Sequence, residues 1–256
     1  MKKFSSLLVV SLLMLASFTA GVEYQRGDVS QDGHVDIADV TCLINYLLNG
    51  SWGDEPVTPP DEHEWVDLGL PSGTLWATCN VGATSPEEYG DYFAWGETAI
   101  KEVYDWSTYK LCNGRDSTLT KYCTDGACGV VDNKTELEPE DDAAYVNWGP
   151  SWRMPTMDQL LELKDVCSWQ RAEMNGVTGA LVTGPNGNTV FFPLAGSRNG
   201  SEYERVGNYV YFWSTALYSD DTRVARYLYS NGTTKQAWNR LRYYGFTVRA
   251  VRVSQN

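Results

Sequence analysis

The sequence has almost no histidine: two in 256 residues, His34 and His63. From residue 64 onward there is none, which excludes a histidine-activated nucleophile and a histidine-ligated metal from the greater part of the chain. Its six cysteines, at 42, 79, 112, 123, 128 and 167, form no CxxC pair and no Cys/His cluster, so a zinc site is not expected. Positive charge is also scarce. Lys and Arg number 20 against 33 Asp and Glu, for a formal net charge of -13. Such a chain is repelled by a polyphosphate backbone, and no nucleic-acid partner is expected. Long apolar runs are missing too. The one near-continuous run, Leu7 to Phe18, falls short of the roughly 20 residues that a spanning helix needs, so the protein is not expected to be an integral membrane protein.

That short run has another reading. Lys2 and Lys3 precede it and the small residues Thr19, Ala20 and Gly21 follow it, which is the layout of a secretory signal peptide over residues 1–21. The chain is therefore expected outside the cytoplasm: secreted, at the cell surface or in the periplasm. An even number of cysteines in an exported protein suggests disulfides. Cys112, Cys123 and Cys128 lie close together in one loop-like stretch, and at least one bridge is expected among them because short loops close at modest entropic cost. The rest of the connectivity is open.

Charge is spread unevenly. Residues 22–63 hold nine acids against the single base Arg26, whereas residues 197–256 hold nine bases against four acids. Within the acidic part, Asp28-Val-Ser-Gln-Asp-Gly-His-Val-Asp-Ile-Ala-Asp39 fits a twelve-residue EF-hand-type loop. A hard cation takes six or more oxygens from alternating positions. Asp28, Ser30 and Asp32 supply positions one, three and five, and Gly33 makes the sharp turn. His34 offers its backbone carbonyl, Asp36 sits at nine and Asp39 closes the loop. Ile37, Val40, Ile44, Leu47 and Leu48 then share one helical face, which Gly50 can end. Asp at position twelve, with a helix only after the loop, resembles a dockerin type I repeat over residues 26–50. The resemblance implies calcium as cofactor and a cohesin-like partner. Ser30 stands where the pattern usually has Asp or Asn, which predicts weaker binding.

Residues 51–63 read as an acidic, Pro-rich linker, with Pro56, Pro59 and Pro60 among Asp54, Glu55, Asp61 and Glu62. From 64 to 254 short apolar-aromatic runs broken by Gly and Pro predict a mostly β domain. Expected strands are Trp65–Leu68, Thr74–Thr78, Tyr92–Trp95, Leu181–Thr183, Thr189–Pro193, Tyr209–Ser214, Val224–Tyr229 and Thr247–Val253. Pro185 and Asn186-Gly187 predict a hairpin turn between Thr183 and Thr189. One helix is well signalled: Thr156 caps it, Gln159 completes a capping box, and Leu160, Leu161, Leu163 and Val166 form its apolar face. The fold class expected is α+β, with a small N-terminal calcium loop-helix module.

Several segments of this domain carry a family resemblance: Val66-Asp-Leu-Gly-Leu70, Leu75-Trp-Ala-Thr-Cys-Asn-Val-Gly-Ala83, Gly90-Asp-Tyr-Phe-Ala-Trp-Gly-Glu97, Val131-Asp-Asn-Lys134, Asp141-Asp-Ala-Ala144, Trp152-Arg-Met-Pro-Thr156 and Val248-Arg-Ala-Val251. Together they resemble the fibrobacter major paralogous (FISUMP) domain, found in exported bacterial proteins. The resemblance implies a C-type-lectin-like fold, also used by formylglycine-generating enzymes and by the variable proteins of diversity-generating retroelements. It implies no defined activity. The late cysteine pair of the oxidase is absent here, since no cysteine follows Cys167. Arg153 and Arg249 are expected in internal ion pairs or bonded to loop carbonyls. Asp141-Asp142 is expected to cap a loop, with a second calcium as the alternative. Glu97, Asp141 and Asp142 are the carboxylates a glycoside hydrolase reading would use, and the enzyme reading is set aside in favour of binding.

The expected ligand surface lies within residues 198–244, which hold eight of the 16 Tyr together with Asn, Ser and seven bases. Tyr gives large amphipathic contact area at low entropic cost, and Arg and Trp are frequent hot spots. The residues singled out are Tyr209, Tyr211, Tyr218, Trp238, Asn239, Arg240, Arg242, Tyr243 and Tyr244, with Trp238 expected to be exposed. Alternate Tyr buried in ordinary strands is the competing reading. In retroelement-diversified lectin-like proteins the variable residues precede a closing Gly-x-x-Val-Arg strand, to which Gly245-Phe-Thr-Val-Arg249 is similar. The expectation is a calcium-binding recognition protein with a glycan or surface-protein ligand. The alternatives are an accessory component of a polysaccharide-degrading assembly and a glycoside hydrolase.

Overall fold

The computed structural model describes residues 63–253. The chain divides into two compact units, residues 1–62 and 63–256, and the second is described here. The expected calcium loop from Asp28 to Asp39, the helix expected after it, the expected leader and most of the expected linker lie outside the described residues, as does Cys42.

The domain is mostly β. Its first strands, β1 (Trp65–Asp67) and β2 (Thr74–Ala77), pair antiparallel, and the last strand, β13 (Val251–Val253), pairs with the other side of β2. All four β2 residues are buried. The largest sheet has the order β11-β10-β9-β12-β3, built from β3 (Tyr92–Phe93), β9 (Val210–Leu217), β10 (Val224–Ser230), β11 (Lys235–Leu241) and β12 (Phe246–Thr247). A meander of β4 (Ser168–Met174), β5 (Val177–Thr183) and β6 (Thr189–Pro193) forms a third sheet, and β7 (Ser197–Asn199) pairs with β8 (Glu202–Glu204). The turn between β5 and β6 falls where Asn186-Gly187 placed it. Thr183 opposes Thr189, and Gly187 takes φ 88°, a conformation that costs glycine nothing.

Two helices complete the domain, α1 (Ala143–Trp148) and α2 (Met157–Val166). Asp142 caps α1 by accepting from the Ala144 and Tyr145 amides. It also accepts from the Met154 amide at 2.8 Å, so this carboxylate is a cap, as expected. Thr156 and Gln159 form the reciprocal capping box of α2. The face that α2 buries is Met157, Leu160 and Leu163, whereas Val166, expected in that face, is exposed.

Strand alternation sends side chains of the large sheet to two cores. Val210, Phe212 and Leu228 join Leu160 and Leu163 of α2, Trp76 and Phe192. Trp213, Tyr227 and Phe246 point the other way, toward Trp95, Tyr104 and Trp152. Between β9 and β10 the register shifts, so that Ala225 opposes Leu217 while Tyr227 opposes Trp213. From Tyr227 to Ser230 the pairing is regular, and it keeps Tyr211, Trp213, Tyr227 and Tyr229 on one face. Among the described residues no helix is long and apolar enough to cross a membrane.

The cysteine expectation needs correction. Cys79, Cys112, Cys123, Cys128 and Cys167 all carry free thiols. The Cys112 thiol donates to the Trp106 and Tyr109 carbonyls, and the Cys123 thiol to the Asp125 carbonyl. Each is engaged by its own loop backbone rather than by another sulfur. Burial pushes Cys167 up to about 11 and raises Cys79 as well, which keeps both protonated and unreactive at neutral pH.

Candidate functional site

The face of the large sheet opposite α2 opens into a cleft of about 410 Å³. Its walls come from one side of three neighbouring strands: Tyr211 on β9, Tyr227 and Tyr229 on β10, and Gln236, Trp238 and Arg240 on β11. Tyr209, just before β9, and Phe246 on β12 add two more rings, and Ser197, Glu204 and Arg205 close the rim. The register makes the juxtaposition. Tyr229 opposes Tyr211 on one side and Gln236 on the other, and Tyr227 opposes Trp213 and Trp238.

The rings tile a concave surface. Tyr209 lies 6.1 Å from Tyr211 and 6.0 Å from Tyr229, and Tyr211 and Tyr227 are 5.9 Å apart, centroid to centroid. Their interplanar angles run from 28° to 55° across the four cleft tyrosines. No pair among these four interlocks edge to face. Beneath them Phe246 stacks on Trp213 at 4.1 Å and on Tyr211 at 5.0 Å. This floor ties the cleft to the core and fixes its shape.

Polar groups converge on the same space. Tyr229 donates its hydroxyl to Gln236 Oε1 at 2.7 Å. Burial raises the Tyr227 phenol to about 12, with Arg240 pulling the other way, and raises Tyr211 against the pull of Arg205 and Arg240. These hydroxyls are protonated at neutral pH. The Arg240 guanidinium sits 4.0 Å from the Tyr244 ring, and that of Arg205 lies 5.5 Å from Tyr209. Neither makes an ion pair among the described residues. Arg205 also occupies the left-handed region at φ 60°, a conformation that costs a non-glycine residue about 1 kcal/mol or more. Its carbonyl accepts from the Asn208 and Tyr209 amides, and that turn carries its side chain to the rim. Glu204 is the one carboxylate lining the cleft, and it accepts from Asn199 at 2.9 Å.

Of the residues expected to bind ligand, Tyr209, Tyr211, Trp238 and Arg240 meet in this cleft, and Trp238 is 63% exposed. Tyr218 and Asn239 fall on the other face of the sheet, where with Leu217, Ser219, Arg226, Ala237 and the edge of Trp238 they line a second depression. Three assignments are corrected. Arg242 is completely buried and donates to the carbonyls of Tyr122, Thr222 and Lys121. Tyr244 is 8% exposed and serves as the platform under Arg240. Tyr243 is half-buried, edge-on to Trp106. The cleft residues not singled out were Ser197, Glu204, Arg205, Tyr227, Tyr229, Gln236 and Phe246. The repeated x-Tyr-x-Tyr pattern at 209/211 and 227/229 was the available signal for the two tyrosines.

The other carboxylates are committed elsewhere. Glu97 pairs with Lys101 at 2.8 Å and accepts from the Lys110 amide at 2.6 Å. Glu138, Glu140 and Asp141 bring carboxylate oxygens within 4.8 Å of one another, a grouping that can hold a metal ion. The Lys121 ammonium already stands among them, at 2.6, 3.1 and 2.5 Å, and Tyr122 donates to Asp141 at 2.7 Å.

No protein-family model matches the chain, and no similar curated protein or solved structure was found.

Proposed function

We propose that this chain is an exported, calcium-binding recognition protein. Its large domain, of C-type-lectin-like fold, holds a glycan or surface-protein ligand in the tyrosine-walled cleft. The carrying observation is that one continuous sheet face presents Tyr209, Tyr211, Tyr227, Tyr229 and Trp238 around a cavity whose rim carries Arg205 and Arg240. Pockets of about 300–1,000 Å³ with aromatic walls and a few convergent polar groups are the usual form of a ligand site. Binding is favoured over hydrolysis because paired-carboxylate chemistry needs two acids across the scissile bond, and Glu204 stands alone in the cleft. The acidic EF-hand-like segment supplies the calcium and supports attachment to a cohesin-like partner. The cleft also occupies the part of the chain that resembles the variable region of retroelement-diversified proteins.

The test is a screen of the mature chain against glycans and bacterial or host surface proteins, followed by substitution. Trp238→Ala and Tyr229→Ala are expected to weaken capture at least tenfold, about 1.4 kcal/mol, while Tyr218→Ala on the opposite face leaves it unchanged. A ligand whose affinity ignores both cleft substitutions would remove this reading.

A further inference from the structure

We propose that the cleft selects an acidic saccharide, a sugar whose ring lies on the aromatic wall and whose carboxylate is taken by Arg240 and Arg205. This rests on the recognition reading above and names its ligand class.

The hydroxyls of Tyr209, Tyr211 and Tyr227, the Trp238 indole N–H and both guanidiniums have no hydrogen-bond partner among the described residues. The amide of Gln236 accepts from Tyr229 through its oxygen, which leaves its NH₂ group to donate. All of these side chains line one cavity. A phenol can donate or accept, but indole, amide NH₂ and guanidinium only donate. Against them stands one carboxylate, Glu204, already accepting from Asn199. A complementary ligand is therefore rich in oxygen acceptors and negatively charged. Arg matches a carboxylate through its planar fork, which makes it the side chain suited to a sugar acid rather than to a neutral hydroxyl.

Shape then decides between a saccharide and an acidic peptide. About 410 Å³ is a small-molecule volume. The cleft lies on the face of the sheet, where a peptide cannot add as a strand; the backbone edge of β11 that would take one is elsewhere. Mutually tilted aromatic rings at about 6 Å spacing lining one cavity offer apolar surface to the C–H groups of a pyranose, with phenolic hydroxyls at hand for its own hydroxyls. Arg205 is held in its left-handed turn beside Tyr209, and the Arg240 guanidinium rests 4.0 Å from the Tyr244 ring, so both cations are positioned before the ligand arrives. The chain as a whole carries -13, so attraction of an anion is confined to this rim and weakens with salt.

The experiment is calorimetry on the mature full-length chain with tri-galacturonate, its methyl ester, 3′-sialyllactose, lactose and hexa-aspartate. At least one sugar acid is expected to bind at least tenfold more tightly than its neutral counterpart. Arg240→Gln and Arg205→Gln are expected to remove that preference, and Trp238→Ala to weaken binding of both acid and neutral sugars. Circular dichroism shows whether each variant is folded. Equal binding of acid and neutral sugars that still needs Trp238 would overturn the charge assignment and leave recognition standing. Tight binding of hexa-aspartate alone would overturn the saccharide in favour of an acidic protein segment. Absence of binding to every probe would overturn the inference, and recognition falls with it only if the wider screen also yields no Trp238-dependent ligand.

Discussion

Arg249 shows what a single residue does here. It is 1% exposed and makes no ion pair with a carboxylate among the described residues. Instead its Nε donates to Asn80 Oδ1 at 2.8 Å, Nη1 to the carbonyls of Ala77 and Thr78 at 3.0 Å, and Nη2 to the Phe191 carbonyl at 3.1 Å. Its plane lies over Phe192 at 4.5 Å. Burial draws its pKa down to about 9, still above neutrality, so the group is a cation at pH 7. One side chain thus binds the end of β2 to β6. Arg249→Ala would remove four hydrogen bonds, three of them buried. The expected loss is about 3 kcal/mol or more by urea unfolding, and a loss under about 1 kcal/mol would contradict the assigned role. The same chemistry explains the mistaken place of Arg242. In sequence, 238, 240 and 242 share the parity of one strand face. β11 ends at Leu241, and the following turn swings Arg242 inward to the carbonyls of Tyr122 and Thr222. Parity predicts a face only while the strand continues.

At the scale of elements, legibility followed local chemistry. The α2 capping box and the β5–β6 turn were readable because each is specified by residues within a few positions of one another. β4 and β11 were not. Their sequences, SWQRAEM and KQAWNRL, are polar, and both strands lie at sheet edges with no fully buried residue. Edge strands commonly carry charge that blocks pairing with other chains, and that charge hides them from a hydrophobic pattern. For the cleft, the sequence located the stretch of chain. It could not supply the rim, because Arg205 and Glu204 arrive from the β8 side through a strained turn.

The loop element around Lys121 carries a pH dependence. Hydrogen bonds from Lys121 and then Lys134 hold Glu138 at about 2, below its ordinary 4.5. Asp132 is also lowered: burial pushes it up, and the amides of Cys123, Tyr122 and Lys134 outweigh this. Carboxyls depressed in the fold bind fewer protons than in the unfolded chain across this window. Their stabilisation is present above about 4.5 and is lost as pH falls toward 2. Lys121→Met is expected to be less stable than wild type at pH 7, with the difference shrinking at pH 4 and again at pH 2.5. Urea midpoints at the three values provide the check, and a pH-independent gap would refute the linkage.

At the scale of the whole molecule, the acidic N-terminal segment and the β domain carry separate predictions. The loop Asp28, Ser30, Asp32, His34, Asp36 and Asp39 offers enough oxygens for one calcium ion. Calorimetry of the full chain is expected to show one site of micromolar or weaker affinity, removed by Asp28→Ala or Asp32→Ala. No heat in a millimolar titration would rule it out. Because no calcium ligand is expected in the cleft, chelation is expected to leave ligand binding there intact.

The placement of β2 between β1 and β13 has a mechanical consequence. Both neighbours run antiparallel to β2, so the chain enters at Trp65, opposite Ala77, and leaves at Val253, opposite Thr74. The two ends of the described domain therefore depart from opposite ends of the same short strand. Tension between them acts along the strand axis and loads the interstrand hydrogen bonds in shear, all at once, whereas a hairpin pulled from one end opens bond by bond.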